Sequence, residues 1–204
     1  MKLGVINYGM GNLGSVITAI KNLGFQADMC VSPLDLKDMD KIILPGVGSF
    51  FDAMKELERK NWVPAINEHV SMKERPLLGI CLGMQLLAST GNEGGKVVGL
   101  DLIPGEVKHL ADLGCQERVP HIGWNEIQLK KESVIFNGIF SGHDFYFVHS
   151  YAFMPSDAQH ISATVSYSND VVASVENKNV FGTQFHPEKS SKAGLRILQN
   201  FLDL

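Results

Sequence analysis

Short apolar runs alternate with amphipathic segments through the first half of the chain, and this alternation restricts the fold more than any other feature. The apolar runs predict strands at residues 2–7, 26–31, 41–46 and 76–81. The segments around them predict helices at about 14–23, 50–59, 62–72 and 82–89. Strands and helices that alternate at this spacing form a parallel sheet covered by helices on both faces, so the sequence predicts the α/β class.

The second half of the chain has shorter runs in which apolar and polar residues alternate. These runs lie at 124–129, 144–153, 161–168, 171–177 and 180–185, and a last helix is predicted over 193–204. We interpret them as an antiparallel portion added to the same, mostly parallel sheet and core. No linker rich in Pro, Ser or Gly interrupts the chain, so residues 1–204 are predicted to form one domain.

Composition excludes several functional classes. The net charge is −4 and the Lys and Arg residues are scattered, which does not favour a nucleic-acid or anionic-membrane surface. The apolar stretches are too short to cross a membrane, and the N-terminus lacks a signal-peptide pattern, so we expect a cytosolic protein. The three cysteines are not paired in a C-x-x-C motif and the seven histidines are scattered, so neither a disulfide framework nor a metal site is predicted.

The run "GMGNLG" at 9–14 matches the G-x-G-x-x-G pattern of a dinucleotide-binding turn and lies between a predicted strand and a predicted helix. That motif also requires an acidic residue at the end of the next strand, where it binds a ribose. The only acid of the next strand is Asp28, which lies inside the run. We therefore interpret this turn as something other than a dinucleotide site.

The run "GICLGM" places Cys81 between Gly79 and Gly83, where an apolar strand meets a helix. This is the cysteine form of the nucleophile elbow, in which flanking glycines allow a sharp turn from strand to helix. A thiol at a helix N-terminus lies near free N–H groups and the positive end of the helix dipole, which favour the thiolate. Cys81 is therefore the candidate nucleophile.

A candidate general base lies in "GTQFHPEKS". His186 follows a predicted strand directly, and Glu188 is two residues further on. Residues two apart in an extended segment face the same side, so the carboxylate can orient the imidazole while the second ring nitrogen faces the thiol. The loop "PGVGSF" at 45–50 closes the neighbouring strand, and its N–H groups can join the N–H of Leu82 in an oxyanion hole.

These residues resemble a known family. The motifs "GICLGMQLL", "PGVGSF" and "FGTQFHPEKS" are similar to those of the class I (triad) glutamine amidotransferases. The motifs "YGMGNLGSV", "PHIGWN" and "YFVHSY" resemble, more narrowly, the glutaminase subunits of imidazole glycerol phosphate synthases. The resemblance covers essentially the whole chain and implies the single-domain, flavodoxin-like amidotransferase fold.

The resemblance also implies a reaction. Cys81 would attack the carboxamide of glutamine, His186 would protonate the departing ammonia and then activate water, and Glu188 would orient His186. The N–H of Val47 would turn toward the oxyanion beside that of Leu82. The residues implied to hold glutamine are Gly48, Gln85, Glu93 and the backbone near Ser150. No metal or organic cofactor is implied.

The same resemblance implies a partner. Ammonia becomes ammonium at neutral pH and then reacts poorly, so it must reach its acceptor directly. The implied partner is a (β/α)8-barrel cyclase that makes imidazole glycerol phosphate and aminoimidazole carboxamide ribotide, a step of histidine biosynthesis. In this interpretation the 9–14 turn faces the cyclase. The implied contacts are Asn12, Trp124, Tyr146 and Lys189.

Three alternatives stay open. Asn7 and Asp101 depart from the family pattern, which leaves room for a paralogue that modifies surface-glycan sugars. A stand-alone γ-glutamyl hydrolase or peptidase would keep the triad without needing the partner motifs. A non-catalytic binding subunit would not be expected to keep Cys81, His186 and Glu188 together.

Overall fold

The computed structural model describes residues 1–204 and contains five α-helices and thirteen strands. The helices are α1 (Leu13–Asn22), α2 (Phe50–Arg59), α3 (Trp62–Asn67), α4 (Leu82–Gln85) and α5 (Ser191–Leu202). The first seven strands are β1 (Leu3–Ile6), β2 (Asp28–Cys30), β3 (Lys41–Gly46), β4 (Leu77–Cys81), β5 (Thr90–Gly91), β6 (Val97–Val98) and β7 (Gly105–His109). The others are β8 (His121–Leu129), β9 (Asp144–His149), β10 (Tyr151–Pro155), β11 (Ile161–Tyr167), β12 (Asn169–Asn177) and β13 (Val180–Thr183).

Nine strands form the main sheet, in the order β2-β1-β3-β4-β13-β12-β11-β8-β9. The first five are parallel, and from β13 to β9 every neighbouring pair is antiparallel. This confirms the predicted α/β class, with its mostly parallel centre and added antiparallel portion. Strand β4, which ends at Cys81, lies between β3 and β13 in the parallel part. The end of β4 therefore lies between its two neighbours, at the carboxyl edge of the parallel strands. Ligands bind at this edge in open α/β sheets.

A second sheet was not predicted. Its four strands lie in the order β10-β7-β5-β6, and β10 belongs to the run 144–153 that we expected to form one strand of the main sheet. The chain leaves the main sheet at Ser150, whose carbonyl accepts a hydrogen bond of 2.9 Å from the N–H of Leu110. The pairing of β10 with β7 then replaces further pairing in the main sheet.

Helices cover both faces of the parallel strands. Side chains alternate between the two faces along each strand, so each face carries apolar side chains that the helices bury. On one face, Ile43 and Ile80 belong to a buried cluster with Ile20 of α1 and Phe201 of α5. The opposite face holds a second buried cluster. It includes Leu44, Leu77, Phe50 of α2, Trp62 of α3, and Val107 and Phe153 of the second sheet.

Two predicted helices end differently from expectation. The predicted helix 82–89 is wrong beyond Gln85, because the carbonyls of Leu86 and Leu87 accept hydrogen bonds from the later segment 100–103. The predicted helix 62–72 consists of α3 followed by one π-helical turn, Glu68–Met72. None of the helices combines the length and the apolar character needed to span a bilayer.

Candidate active site

Cys81 lies on a strained turn between β4 and α4. Its φ of 55° and ψ of −111° are outside the regions that L-residues normally occupy. Such strain is typical of functional turns, and it persists only where the surrounding structure holds the residue in place. The predicted elbow is therefore present in the structure, with the nucleophile candidate at its tip.

The glycines on either side of Cys81 are required by close packing. A Cβ atom at Gly83 would lie 1.8 Å from the carbonyl oxygen of Leu44, and one at Gly79 would lie 2.6 Å from the carbonyl oxygen of Gly83. These distances are far shorter than van der Waals contact. Only glycine therefore allows α4 to begin directly against β3.

His186 and Glu188 form a buried pair. His186 Nδ1 lies 2.8 Å from Glu188 Oε1, and both side chains are almost completely buried. The backbone between them is a 3-10 turn over Pro187–Lys189, so our expectation of an extended segment is wrong. The turn forms because the N–H of Ser190 bonds to the carbonyl of Pro187. The pairing of His186 with Glu188 is nevertheless the one expected.

Burial alone would lower the pKa of His186, because it disfavours the imidazolium. Interaction with Cys81 and Glu188 outweighs burial and raises the pKa of His186 to about 9. The Nε2 atom of His186 is buried and makes no hydrogen bond of standard geometry. The raised pKa therefore favours the imidazolium form of His186 at neutral pH.

A cavity of about 330 Å³ opens at the end of β4. Its lining contains eight of the predicted site residues: Val47, Gly48, Cys81, Leu82, Gln85, Glu93, Ser150 and His186. Four further residues complete the lining: Pro120, Val148, His149 and Tyr151. Glu188 lies behind His186 and does not line the cavity. The structure thus brings together residues that are more than a hundred positions apart in sequence.

Sequence reasoning missed Gln184, which is completely buried beside the thiol. Its Nε2 lies 3.8 Å from Cys81 Sγ, and its Oε1 accepts a hydrogen bond of 2.9 Å from Gln85 Nε2. Gln85 Nε2 also donates to the carbonyl of Tyr151 at 2.9 Å. Both N–H groups of Gln85 are therefore used, and only its Oε1 stays free to accept from a ligand. The available signal was the position of Gln184, two residues before His186.

Glu93 also lines the cavity, and a backbone contact holds its side chain in place. Its Oε2 accepts a hydrogen bond of 2.7 Å from the N–H of Phe50, the first residue of α2. The positive end of the helix dipole favours a carboxylate at that place. Because only one oxygen is engaged in this bond, the other can accept from a cationic group in the cavity.

The two residues that carry the candidate oxyanion donors line the same cavity as Cys81. Leu82 is the first residue of α4, where a backbone N–H has no acceptor within the helix. Gly46, at the end of β3, pairs in register with Cys81, and Val47 follows it in the cavity wall. Gly48 has a φ of 105°, which gives this loop backbone freedom beside Val47. The role of Val47 and Leu82 as an oxyanion hole stays a prediction.

Three of the predicted partner contacts form one surface patch. Trp124 is 50% exposed and packs edge-on against Tyr146, with ring centroids 6.1 Å apart. Lys189 Nζ lies 6.0 Å from the centroid of the Tyr146 ring. Asn12 is exposed at the start of α1, where its side chain accepts from the N–H of Ser15. A groove between α1 and the 187–189 turn contains both Glu188 and Lys189, so this surface adjoins the candidate triad.

The model of the family "Glutamine amidotransferase class-I" matches residues 4–204. The chain belongs to this family. It is therefore a glutamine amidotransferase, an enzyme of the glutaminase type, and the cavity at Cys81 is the candidate active site of this amidotransferase. The fold agrees with that of a solved structure. The structure of PurLQS from Thermotoga maritima matches with a TM-score of 0.79 at 19% identity, over 99% of this chain and 97% of that one.

Two curated relatives are much closer to this amidotransferase in sequence. A protein of Moorella thermoacetica is 48% identical over 99% of this chain and 94% of its own length. A protein of Pelagibacter ubique is 44% identical over the full length of both chains. Both are named "Imidazole glycerol phosphate synthase subunit HisH".

Proposed function

We propose that the chain is the glutaminase subunit of an imidazole glycerol phosphate synthase, which releases ammonia from glutamine for histidine biosynthesis. One observation carries the proposal. The thiol of Cys81, the imidazole of His186 and the carboxylate of Glu93 line the same cavity. A glutamine held there by its amino group can reach the thiol with its carboxamide.

The proposed chemistry begins with attack of the Cys81 thiolate on the carboxamide carbon. The N–H groups of Leu82 and Val47 stabilise the developing oxyanion. The tetrahedral intermediate collapses when His186 gives its Nε2 proton to the leaving ammonia, which leaves a glutamyl thioester. His186 then accepts a proton from water, whose attack releases glutamate and regenerates the thiolate. Glu188 holds the imidazole in place through Nδ1.

The proposed substrate contacts follow from the free hydrogen-bonding groups. Glu93 has one carboxylate oxygen available for the α-ammonium of glutamine. Gln85 has only its Oε1 available, so it accepts from an N–H of the substrate and cannot donate to it. Gly48 and the backbone at Ser150 complete the glutamine-binding wall.

Ammonia is useful only if it reaches its acceptor before it is protonated. We therefore infer a (β/α)8-barrel cyclase subunit that binds at Asn12, Trp124, Tyr146 and Lys189. Support comes from the exposed aromatic patch beside the triad and from relatives that carry the name of a synthase subunit.

The test is glutamate release by the purified chain, alone and then with the cyclase subunit and its phosphoribulosyl-formimino substrate. We expect strong stimulation by the partner and one glutamate released for each imidazole glycerol phosphate formed. Equal turnover with and without the partner would instead indicate a stand-alone hydrolase. Stimulation without product would indicate a different acceptor.

Truncation of Trp124 is expected to weaken the complex. Large aromatic side chains at the centre of an interface dominate binding, so Trp124→Ala should raise the Kd for the cyclase at least about tenfold. The matched control is Phe140→Ala, which removes an aromatic side chain that is 69% exposed but lies outside the patch. Titration calorimetry measures both variants. Unchanged affinity of Trp124→Ala would contradict the proposed interface.

The pH dependence of glutamine hydrolysis should report the pKa of His186. The leaving ammonia needs the imidazolium proton, and this proton is held until the pH passes about 9. We expect kcat/KM for glutamine to fall above that pH. Glu188→Gln removes one interaction that raises the pKa, so the fall should move to lower pH by about one unit or more. A falling limb at the same pH in both proteins would argue against the pairing.

A further inference from the structure

A series of hydrogen bonds between buried and partly buried groups connects strand β8 with the wall of the active-site cavity. Asn125 Nδ2 lies 2.7 Å from His121 Nε2, and His121 Nδ1 lies 2.9 Å from His149 Nε2. His149 Nδ1 lies 2.8 Å from the carbonyl oxygen of Tyr151. The three side chains come from two paired strands, since His121 and His149 face each other in the register of β8 and β9.

The same carbonyl continues the series toward the nucleophile. The Tyr151 oxygen also accepts from Gln85 Nε2, which bonds in turn to Gln184 Oε1. Gln184 Nε2 faces Cys81 Sγ at 3.8 Å. The two donors occupy both acceptor positions of the carbonyl, so the same oxygen holds His149 and Gln85 in place.

The hydrogen-bonding groups allow only one assignment of donor and acceptor at each contact of this series. A carbonyl oxygen can only accept, so His149 must carry its proton on Nδ1. Burial lowers the pKa of His121 to about 4 and that of His149 to about 3, so both rings are neutral at pH 7. A neutral His149 then accepts at Nε2 from Nδ1–H of His121, and His121 accepts at Nε2 from Asn125.

The packing leaves the rings little freedom. His121 is completely buried and stacked between Phe147 and Tyr167, with centroid distances of 4.7 and 4.0 Å and interplanar angles of 18° and 21°. His149 is also buried. An unpaired ring nitrogen in this environment would lose its hydration without gaining a partner, which holds every member in its bonded orientation.

We propose that Asn125, His121 and His149 are positioning residues for the glutaminase reaction, which fix the Tyr151 carbonyl and, through Gln85 and Gln184, orient the Cys81 thiol. The inference rests on the proposed function and extends it. Asn125 and His121 do not line the cavity, so they act on the thiol only through the rest of the series. Asn125 follows Trp124 directly, so the strand that presents the proposed partner contact also carries the first member of the series.

Two variants of nearly equal size separate hydrogen bonding from packing. His121→Asn keeps an N–H donor close to the position of Nδ1, whereas His121→Leu has the same shape and no donor. Both lose the ring stacking. In the complex with the cyclase subunit, we expect kcat/KM for glutamine to be about tenfold lower in His121→Leu than in His121→Asn. The rate of iodoacetamide alkylation at Cys81, followed by mass spectrometry, should differ in the same direction.

A remote variant controls for simple loss of stability. Asn200→Leu removes a buried amide whose Nδ2 donates to the carbonyls of Ile135 and Asn137, at 2.9 and 2.8 Å. We expect it to lower stability without changing kcat/KM or the alkylation rate of the folded protein. Nitrogen-15 NMR of the wild-type chain should find His121 and His149 neutral and protonated at Nδ1.

The outcomes separate failure of the positioning role from failure of the proposed function. If His121→Leu and His121→Asn are equally active and equally alkylated, or if either ring is protonated at Nε2 instead, the inference is wrong. If Asn200→Leu lowered kcat/KM and the alkylation rate as much as His121→Leu does, the inference would also be wrong. Cys81→Ala is assayed alongside: retained glutamate release in that variant would refute the proposed function itself.

Discussion

Cys81→Ala is expected to abolish glutamine-dependent synthesis by the complex and to leave ammonia-dependent synthesis unchanged. Without the thiolate no glutamyl thioester forms, so glutamate release should fall by at least about 10³-fold. Added ammonium salts at high pH supply free ammonia to the acceptor site and bypass the missing step. Measuring both reactions on one preparation separates loss of the nucleophile from loss of the complex.

Cys30→Ala is the matched control for this experiment. Cys30 is a second buried cysteine, but it has no elbow and no neighbouring base. Burial, with the charges of Asp35 and Asp28, raises the pKa of its thiol to about 11, so it stays protonated at neutral pH. We expect glutamine hydrolysis at the wild-type rate. If Cys81→Ala were as active as Cys30→Ala, Cys81 could not be the nucleophile.

Gly83→Ala is expected to cause the largest loss of stability among single-methyl additions at the elbow. The new Cβ would lie 1.8 Å from the carbonyl oxygen of Leu44, so either α4 or β3 must move. Overlap with backbone cannot be relieved by a change of rotamer, and we expect a loss of about 3 kcal/mol or more in the free energy of unfolding. Denaturation in urea measures the change.

Gly14→Ala adds the same methyl group where nothing lies within 4 Å. Because Gly14 is in α1 and alanine favours helix, the free energy of unfolding should stay the same or rise by up to about 1 kcal/mol. A wild-type midpoint in Gly83→Ala would show that the contact between α4 and β3 is looser than the structure indicates.

The parts of the active site that could be predicted from sequence are those set by local geometry. Gly79, Cys81 and Gly83 form a motif whose spacing alone indicates the turn. His186 and Glu188 are two residues apart, and the turn over Pro187–Lys189 still brings their side chains to within 2.8 Å. The alternation of apolar runs with amphipathic segments likewise predicted the parallel strands, because each βαβ unit is local in sequence.

The unpredicted parts depend on contacts between distant segments. Nothing in the run 144–153 signals a break at Ser150, since it contains no Gly or Pro, and the change of sheet depends on β7. Gln184, His121 and His149 are polar residues in apolar runs, and their partners become known only when β8, β9, β13 and α4 are placed together. The early end of α4 has the same origin, in hydrogen bonds from the segment 100–103.

The backbone at residue 81 also has a consequence for how such a chain evolves. At φ 55° and ψ −111°, glycine would fit with less strain than any residue that carries a Cβ. Selection for stability therefore favours glycine at this position, and only selection for hydrolysis keeps a cysteine there. In a descendant that no longer needs catalysis, replacement of Cys81 by glycine would raise the free energy of unfolding. Folding energetics therefore favour loss of activity in this fold, in addition to random mutation.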